Sequence, residues 1–173
     1  MYETLRQILR VGIRSEPAPA PLAEDVVVRR LHEEILRTLG RALTLRHVDA
    51  GSCNACELES QALSNPYYNV EGLGIRYVAS PRHADALIVT GPVTKNMADA
   101  LRRTYDAMPE PKLVIAAGAC ASGCGVYGAN YATVGAVSAI VPVDVAIPGC
   151  PPSPVALLQG ILAAVSASAA KPR

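Results

Sequence analysis

The chain has five cysteines, none in the first 52 residues, and they fall in three short stretches. Cys53 and Cys56 form a C-x-x-C within Gly51-Ser52-Cys53-Asn54-Ala55-Cys56-Glu57. Cys120 and Cys124 lie in Gly118-Ala119-Cys120-Ala121-Ser122-Gly123-Cys124-Gly125, and Cys150 in Pro148-Gly149-Cys150-Pro151-Pro152. Four thiolates can hold an iron–sulfur cube, and a C-x-x-C supplies two of them from one turn. Gly51, Gly118 and Gly123 suit close backbone approach. Backbone N–H groups at the start of the helix after Cys56 can donate to the sulfurs and offset their charge. Cys150 is held extended by the proline after it. Three other chemistries compete. Zinc also takes four cysteines, although zinc ribbons use two C-x-x-C pairs and this chain has one. A thioredoxin-like dithiol at Cys53 and Cys56 leaves Cys120 and Cys150 unexplained. Buried core thiols at Cys120, Cys124 and Cys150 sit poorly with their Gly and Pro neighbours.

Such residues must be positioned by the elements around them. From residue 42 onward, strand-like and helix-like stretches alternate. Strands are expected over 42–48, 75–79, 84–90, 112–117 and 143–147. Helices are expected over 57–63, over 95–108 with Thr94 as its cap, and from Ser153-Pro154 to about 167. Met97, Leu101 and Tyr105 share one face of the second of these. Alternation of this kind implies βαβ crossovers and a parallel sheet with covered faces. Ligands of open α/β sheets sit beyond the carboxyl ends of the strands. Cys53, Cys120 and Cys150 each follow a strand end closely, so topology and thiols point to one edge. The segment between Gly123 and Gly125 reads as a loop.

Ahead of this α/β part, residues 2–13 have the apolar spacing of a short amphipathic helix, and the alternating prolines of 15–21 read as an extended linker. Residues 22–39 read as a second helix stopped by Gly40, with Val26, Leu31, Ile35 and Leu39 on one face. Residues 1–40 are therefore expected to be an N-terminal arm and helix that contact partners, and 41–173 an α/β iron–sulfur domain.

Composition bounds the rest. The 173 residues are 50% apolar with seven Tyr, no Phe and no Trp, and the net charge is +1. That charge gives no electrostatic reason to expect nucleic acid or an anionic membrane as partner. No apolar run reaches the roughly 20 residues of a spanning helix, and the N-terminus does not read as a signal peptide. Clustered cysteines without a leader favour metal or redox chemistry in a reducing, cytoplasmic compartment.

Several stretches together resemble one family. They are Arg46-His47-Val48-Asp49-Ala50-Gly51-Ser52-Cys53-Asn54-Ala55-Cys56-Glu57, Ser80-Pro81-Arg82-His83-Ala84-Asp85, Thr90-Gly91-Pro92-Val93-Thr94, Gly118-Ala119-Cys120-Ala121, and the run from Val141-Pro142-Val143-Asp144 to Pro148-Gly149-Cys150-Pro151-Pro152. The chain is similar over about 42–162 to the 20 kDa (B) subunit of NADH–quinone oxidoreductase. It is similar also to the small subunit of membrane-bound (group 4) nickel–iron hydrogenases such as formate hydrogenlyase and hydrogenase-4. The resemblance implies a flavodoxin-like parallel sheet with flanking helices and one 4Fe–4S cluster on Cys53, Cys56, Cys120 and Cys150. It implies an electron-transfer subunit of an oxidoreductase complex, with no complete active site on this chain.

The C-x-x-C resembles the hydrogenase branch, since the quinone-reducing branch has two adjacent cysteines there. A hydrogenase-type assignment places the cluster beside the catalytic large subunit (nickel–iron or 49 kDa-like). The other implied partners are a ferredoxin-like iron–sulfur subunit and membrane subunits, with the complex on the cytoplasmic face of the membrane. A quinone-reducing B subunit is the alternative within that class. A non-redox assembly subunit with a structural zinc site is the alternative outside it. Cys124 stands where the family has Gly, and reads first as a buried free thiol and second as a cluster neighbour or surrogate ligand. Glu57 and Glu59 read as carboxylates at a helix N-terminus, or as a proton route or partner contact. Arg46 and His47 read as strand-end packing, and Arg82 and His83 as loop residues or partner contacts. The apolar run 155–167 suits either core burial or cover by a partner.

Overall fold

Two apolar runs form the centre of a five-stranded sheet. β3 (Ala86–Thr90) and β5 (Leu113–Ala117) are buried at every position, as expected of parallel strands covered on both faces. β1 (Leu43–Asp49), β2 (Ile75–Tyr77) and β7 (Val145–Ile147) complete the order β2-β1-β3-β5-β7. Every pairing in this sheet is parallel. The computed structural model describes Tyr2, Arg6, Leu9 and Arg10 and then residues 23–168.

Side chains alternate across the sheet, so consecutive residues of one strand feed two cores. On one face Leu43, Leu45, Ala86, Ile88, Leu113, Ile115 and Ile147 pack with Leu31 and Ile35 of α1 (Ala23–Leu39) and with Leu157, Leu158, Ile161 and Val165 of the C-terminal helix (Pro154–Ser168). On the other face Val48, Leu87, Val89, Val114 and Ala116 meet Leu101, Met97 and Tyr105 of a helix spanning Lys95–Asp106. The expected shared face of that helix is therefore its packing face. The apolar C-terminal helix is covered by this chain's own core. No helix among the described residues is long and apolar enough to cross a membrane.

In chain order the helices are α1, α2 (Ala55–Ala62), α3 (Lys95–Asp106), α4 (Ala119–Gly123) and α5 (Pro154–Ser168). Several boundaries depart from sequence expectation. α2 begins at Ala55, two residues early, because Asn54 adopts the left-handed conformation (φ 72°) and turns the chain straight into the helix. Cys56 is thus helical. Thr94 stands at the N-cap of α3 without a side-chain capping bond among the described residues; its N–H is engaged with the Ala50 carbonyl at 2.9 Å. Ser153 caps α5 as expected, its hydroxyl accepting from Ala156 N–H at 3.3 Å.

The segment holding Cys120 is a helical turn, α4, and not the expected loop; Cys124 N–H closes it on the Cys120 carbonyl at 2.9 Å. A short antiparallel pair was not expected: β4 (Val93–Thr94) with β6 (Thr133–Gly135). Both strands are too short to carry a period-2 pattern. Of the expected helix over 2–13, the four described residues are helical and exposed. The rest of it, and the linker 15–21, lie outside the described residues. α1 is packed into the body of the domain through Leu31 and Ile35, while Val26 and Leu36 stay about half exposed.

Two aspartates fix strand starts. Asp85 accepts from the Thr44 N–H at 3.0 Å and the Thr44 hydroxyl at 2.7 Å, while its own N–H donates to the Thr44 carbonyl at 2.9 Å. Asp144 does the same for β5: its carboxylate accepts from Val114 N–H at 2.8 Å and its N–H donates to the Val114 carbonyl at 2.9 Å.

Candidate metal centre

The chain leaves β1 towards β2 on one side and returns to β3 on the other, so the carboxyl ends of β1 and β3 form the switch point where a crevice opens. The loop after β1 is shaped by its own residues. Asp49 accepts from Gly51 N–H at 2.8 Å and Ser52 N–H at 2.7 Å, and Asn54 N–H donates to the Ser52 hydroxyl at 3.0 Å. Gly91, at the end of β3, lies against this loop so closely that a Cβ there would stand 2.5 Å from Ser52 N. The loops after β5 and β7 are joined to each other: Gly118 N–H donates to the Ile147 carbonyl and Ala119 N–H to the Gly149 carbonyl, both at 2.8 Å.

Three loops thus share one edge, and the cysteines ride on them. Cys56 and Cys120 are buried, and Cys53 and Cys150 are exposed. A Cβ on Gly118 (φ +93°) would lie 2.8 Å from the Cys56 sulfur and 3.5 Å from the Gly149 carbonyl oxygen. A Cβ on Gly125 (φ +45°) would lie 2.7 Å from the Cys120 sulfur. The backbone approaches both thiols as only glycine allows.

Burial and neighbouring charge act on the two buried thiols. Burial pushes the Cys56 thiol up to about 11, reinforced by the charges of Glu57, Cys120, Cys53 and Cys150. Burial also raises Cys120; the backbone of Val126 opposes it by a hydrogen bond, and Cys150 and Cys53 add to it. Among the described residues, no three His, Cys, Asp or Glu side chains gather as a site for one metal ion. Cys124, also buried, takes φ 65° at the end of α4.

The polar surroundings of the thiols were only partly readable beforehand. Glu57 stands in the first turn of α2, as expected of a carboxylate at a helix N-terminus. It is 6% exposed, and both its oxygens are buried without a hydrogen-bond partner among the described residues. His47 Nε2 stands 3.9 Å from Glu57 Oε1. His47 Nε2 is also 3.0 Å from the Thr90 hydroxyl, tying β1 to β3. Burial lowers the His47 pKa, against the opposing pull of Glu57 and Asp49. Arg82 and His83 sit in a short 3-10 turn, Pro81–His83, on the surface.

Tyr127 was not anticipated. It closes a 3-10 turn, Gly125–Tyr127, directly after α4, with its N–H on the Cys124 carbonyl at 3.1 Å. Its pKa is raised by partial burial first, then by the charges of Cys53, Cys120 and Cys150. The only sequence signal was an aromatic hydroxyl seven residues past Cys120.

Residues 53–164 match the family model described as NADH ubiquinone oxidoreductase, 20 Kd subunit. The chain is 43% identical over 132 residues to the probable membrane-bound hydrogenase subunit mbhJ of Pyrococcus furiosus, covering 76% of this chain and 79% of that one. It is 40% identical over 147 residues to formate hydrogenlyase subunit 7 of Escherichia coli, covering 85% of this chain but 58% of that longer relative. Among solved structures, a chain of the membrane-bound sulfane sulfur reductase, an archaeal respiratory membrane complex, superposes with a TM-score of 0.67 at 30% identity, over 81% of this chain and 76% of that chain. A chain of an NAD+-reducing NiFe-hydrogenase shares the fold, with a TM-score of 0.52 at 18% identity over 66% of this chain and 85% of that one.

Proposed function

The chain belongs to the NADH ubiquinone oxidoreductase 20 kDa subunit family, and from that premise we propose that it is the electron-transfer subunit of a membrane-associated hydrogenase-type complex, carrying one 4Fe–4S cluster on Cys53, Cys56, Cys120 and Cys150. The observation that carries the reading is the meeting of three strand-end loops. It sets the loops that carry the four cysteines side by side at one sheet edge, with Gly118 and Gly125 pressed onto the sulfurs of Cys56 and Cys120. The donor set suits a cube: four thiolates from three turns, with backbone N–H groups nearby.

When bound, the cluster accepts and releases one electron at a time. This chain's residues hold, insulate and tune it. Gly118 and Gly125 let the backbone close over Cys56 and Cys120 and keep water out. Val126 N–H supports the negative charge on Cys120. The exposed positions of Cys53 and Cys150 leave that side of the site for a large subunit to cover. Exposed Leu58, Val126, Tyr131 and Val134 supply apolar surface for that contact. The outer face of α1, with Val26 and Leu36, serves as the partner-contacting surface of residues 1–40. Other subunits, among them a ferredoxin-like electron donor or acceptor, hold the chain on the cytoplasmic face of the membrane.

The C-x-x-C spacing and the two hydrogenase-complex relatives favour the hydrogenase branch over a quinone-reducing one. The test is anaerobic purification of the complex with iron, sulfide and zinc analysis and EPR of the reduced state. About four iron and four sulfide per chain with a cluster signal is the expected result. A colourless chain with stoichiometric zinc would defeat the proposal and leave the non-redox assembly role standing.

A further inference from the structure

Charge is spread unevenly along this chain. It has 16 Lys and Arg and 15 Asp and Glu, yet from residue 113 to residue 170 Asp144 is the only one of them. Asp144 has a task inside the fold, where its carboxylate accepts from Val114 N–H at 2.8 Å. β5 and much of α5 are core and need no charge. The run 122–132 is different. Apart from Cys124 every residue in it is exposed, and none is charged or a histidine. Tyr131 is 90% exposed and Val126 78%. The run is also fixed in place: Ala132 N–H donates to Asn130 Oδ1 at 2.9 Å, and Lys95 N–H donates to the Ala132 carbonyl at 2.8 Å. It adjoins the cysteine loops at both ends. Gly125 is packed onto the Cys120 sulfur; Thr133 pairs with Thr94, whose methyl packs on Gly51 in the Cys53 loop.

We propose that the run 122–132 docks the large subunit through a contact that is uncharged on both sides. The inference rests on the reading above, in which that subunit covers Cys53 and Cys150. Surface that stays in water keeps charge for solubility, whereas the centre of a protein interface is depleted in charge and enriched in Tyr. A charged side chain of the partner pressed onto this run would be desolvated with no counter-charge to meet it. The mate is therefore an uncharged protein face. A bilayer surface selects Lys and Arg beside its tyrosines, and the run has neither. A second copy of this chain would match in charge, but it would set carrier against carrier and give the electron no exit. Since the run is already fixed by its own bonds, docking orders little that was free.

The test purifies the complex through a tag on the large subunit and measures how much of this chain comes with it. Three variants at exposed Ala129 separate charge from size. Ala129→Gln should assemble as wild type does. Ala129→Glu and Ala129→Lys should each cut the recovered chain at least about tenfold, as an unpaired buried charge does at an interface. Ala100→Glu, on the exposed side of α3 among charged neighbours, should cost nothing. Loss with only one sign of charge would mean a charged partner face, and no loss with either sign would mean an open surface. Both results overturn the proposal. So would a wild-type chain that forms a homodimer, or binds phosphatidylcholine vesicles, in a way that Ala129→Glu abolishes. Iron is measured on the same wild-type preparation. A complex without iron removes the cluster reading and leaves the docking result standing, whereas a loaded complex indifferent to the Ala129 variants does the reverse.

Discussion

Gly118 lies against the thiol of Cys56 across the edge of the sheet: a Cβ on Gly118 would stand 2.8 Å from that sulfur. The two residues belong to different loops, after β5 and after β1, so the contact records how tightly those loops close. Gly118 also holds φ 93° and ψ 161°, a region that is essentially glycine's own, with a cost for other residues of about 1–3 kcal/mol. Gly118→Ala is therefore expected to lower the thermal midpoint and to drop iron to less than half of wild type per chain. Iron analysis and a melting curve on the same preparation check it. Full iron at wild-type stability would show that the loops do not need this approach.

Removal of the metal should expose a difference among the cysteines. In the cluster-free chain Cys53 and Cys150 are exposed, whereas Cys56, Cys120 and Cys124 are buried. The Cys56 thiol is pushed up to about 11 by burial and by its charged neighbours. At pH 8 the reactive thiolate is then on the order of one part in a thousand of Cys56. Timed alkylation with mass spectrometry should label Cys53 and Cys150 first and Cys56 much later. In the loaded complex Cys53 and Cys150 should become protected as well. Equal rates at Cys53 and Cys56 in the stripped chain would contradict the geometry.

The frame of this fold was legible because its signals are local. The runs at β3 and β5 are apolar throughout, which only strands covered on both faces require, and Gly and Pro mark the loops that carry the cysteines. What escaped has no local signal. Glu57 stands at a helix start as its position suggested, but nothing local announced that it would be buried beside His47. The helical turn at Cys120 was hidden by its flanking glycines, which suggest loop. One of them, Gly125, is there to clear a sulfur. β4 and β6 each span too few residues to show a pattern. Tyr127 gained its place from the turn before it, which no periodicity announces.

Asp85 holds the start of β1 through Thr44. Its carboxylate takes both the N–H and the hydroxyl of Thr44 in a partly buried setting. Asp85→Ala leaves those donors without an acceptor, a loss of about 1–3 kcal/mol for an unsatisfied buried group. Asp85→Asn keeps one acceptor and should recover part of it. Urea midpoints of the two variants against wild type measure the difference. Identical midpoints for Ala and wild type would mean that water replaces the carboxylate at no cost.

His47 should make stability depend on pH over a window set by its lowered pKa. Burial disfavours its charged form, and the pull of Glu57 and Asp49 does not fully compensate. Between the lowered folded value and the ordinary 6.5 of the unfolded chain, the unfolded state binds more protons. Stability therefore rises with pH across that window and falls as the solution is acidified below about 6.5. His47→Gln keeps a hydrogen-bonding side chain towards Thr90 but cannot titrate, so its stability should lose this component of the acid-side decline. Urea unfolding at pH 7.5, 6.5 and 5.5 in both proteins reads it directly. Parallel pH profiles for wild type and His47→Gln would place the acid sensitivity elsewhere and leave the part-buried imidazole a purely mechanical tie between β1 and β3.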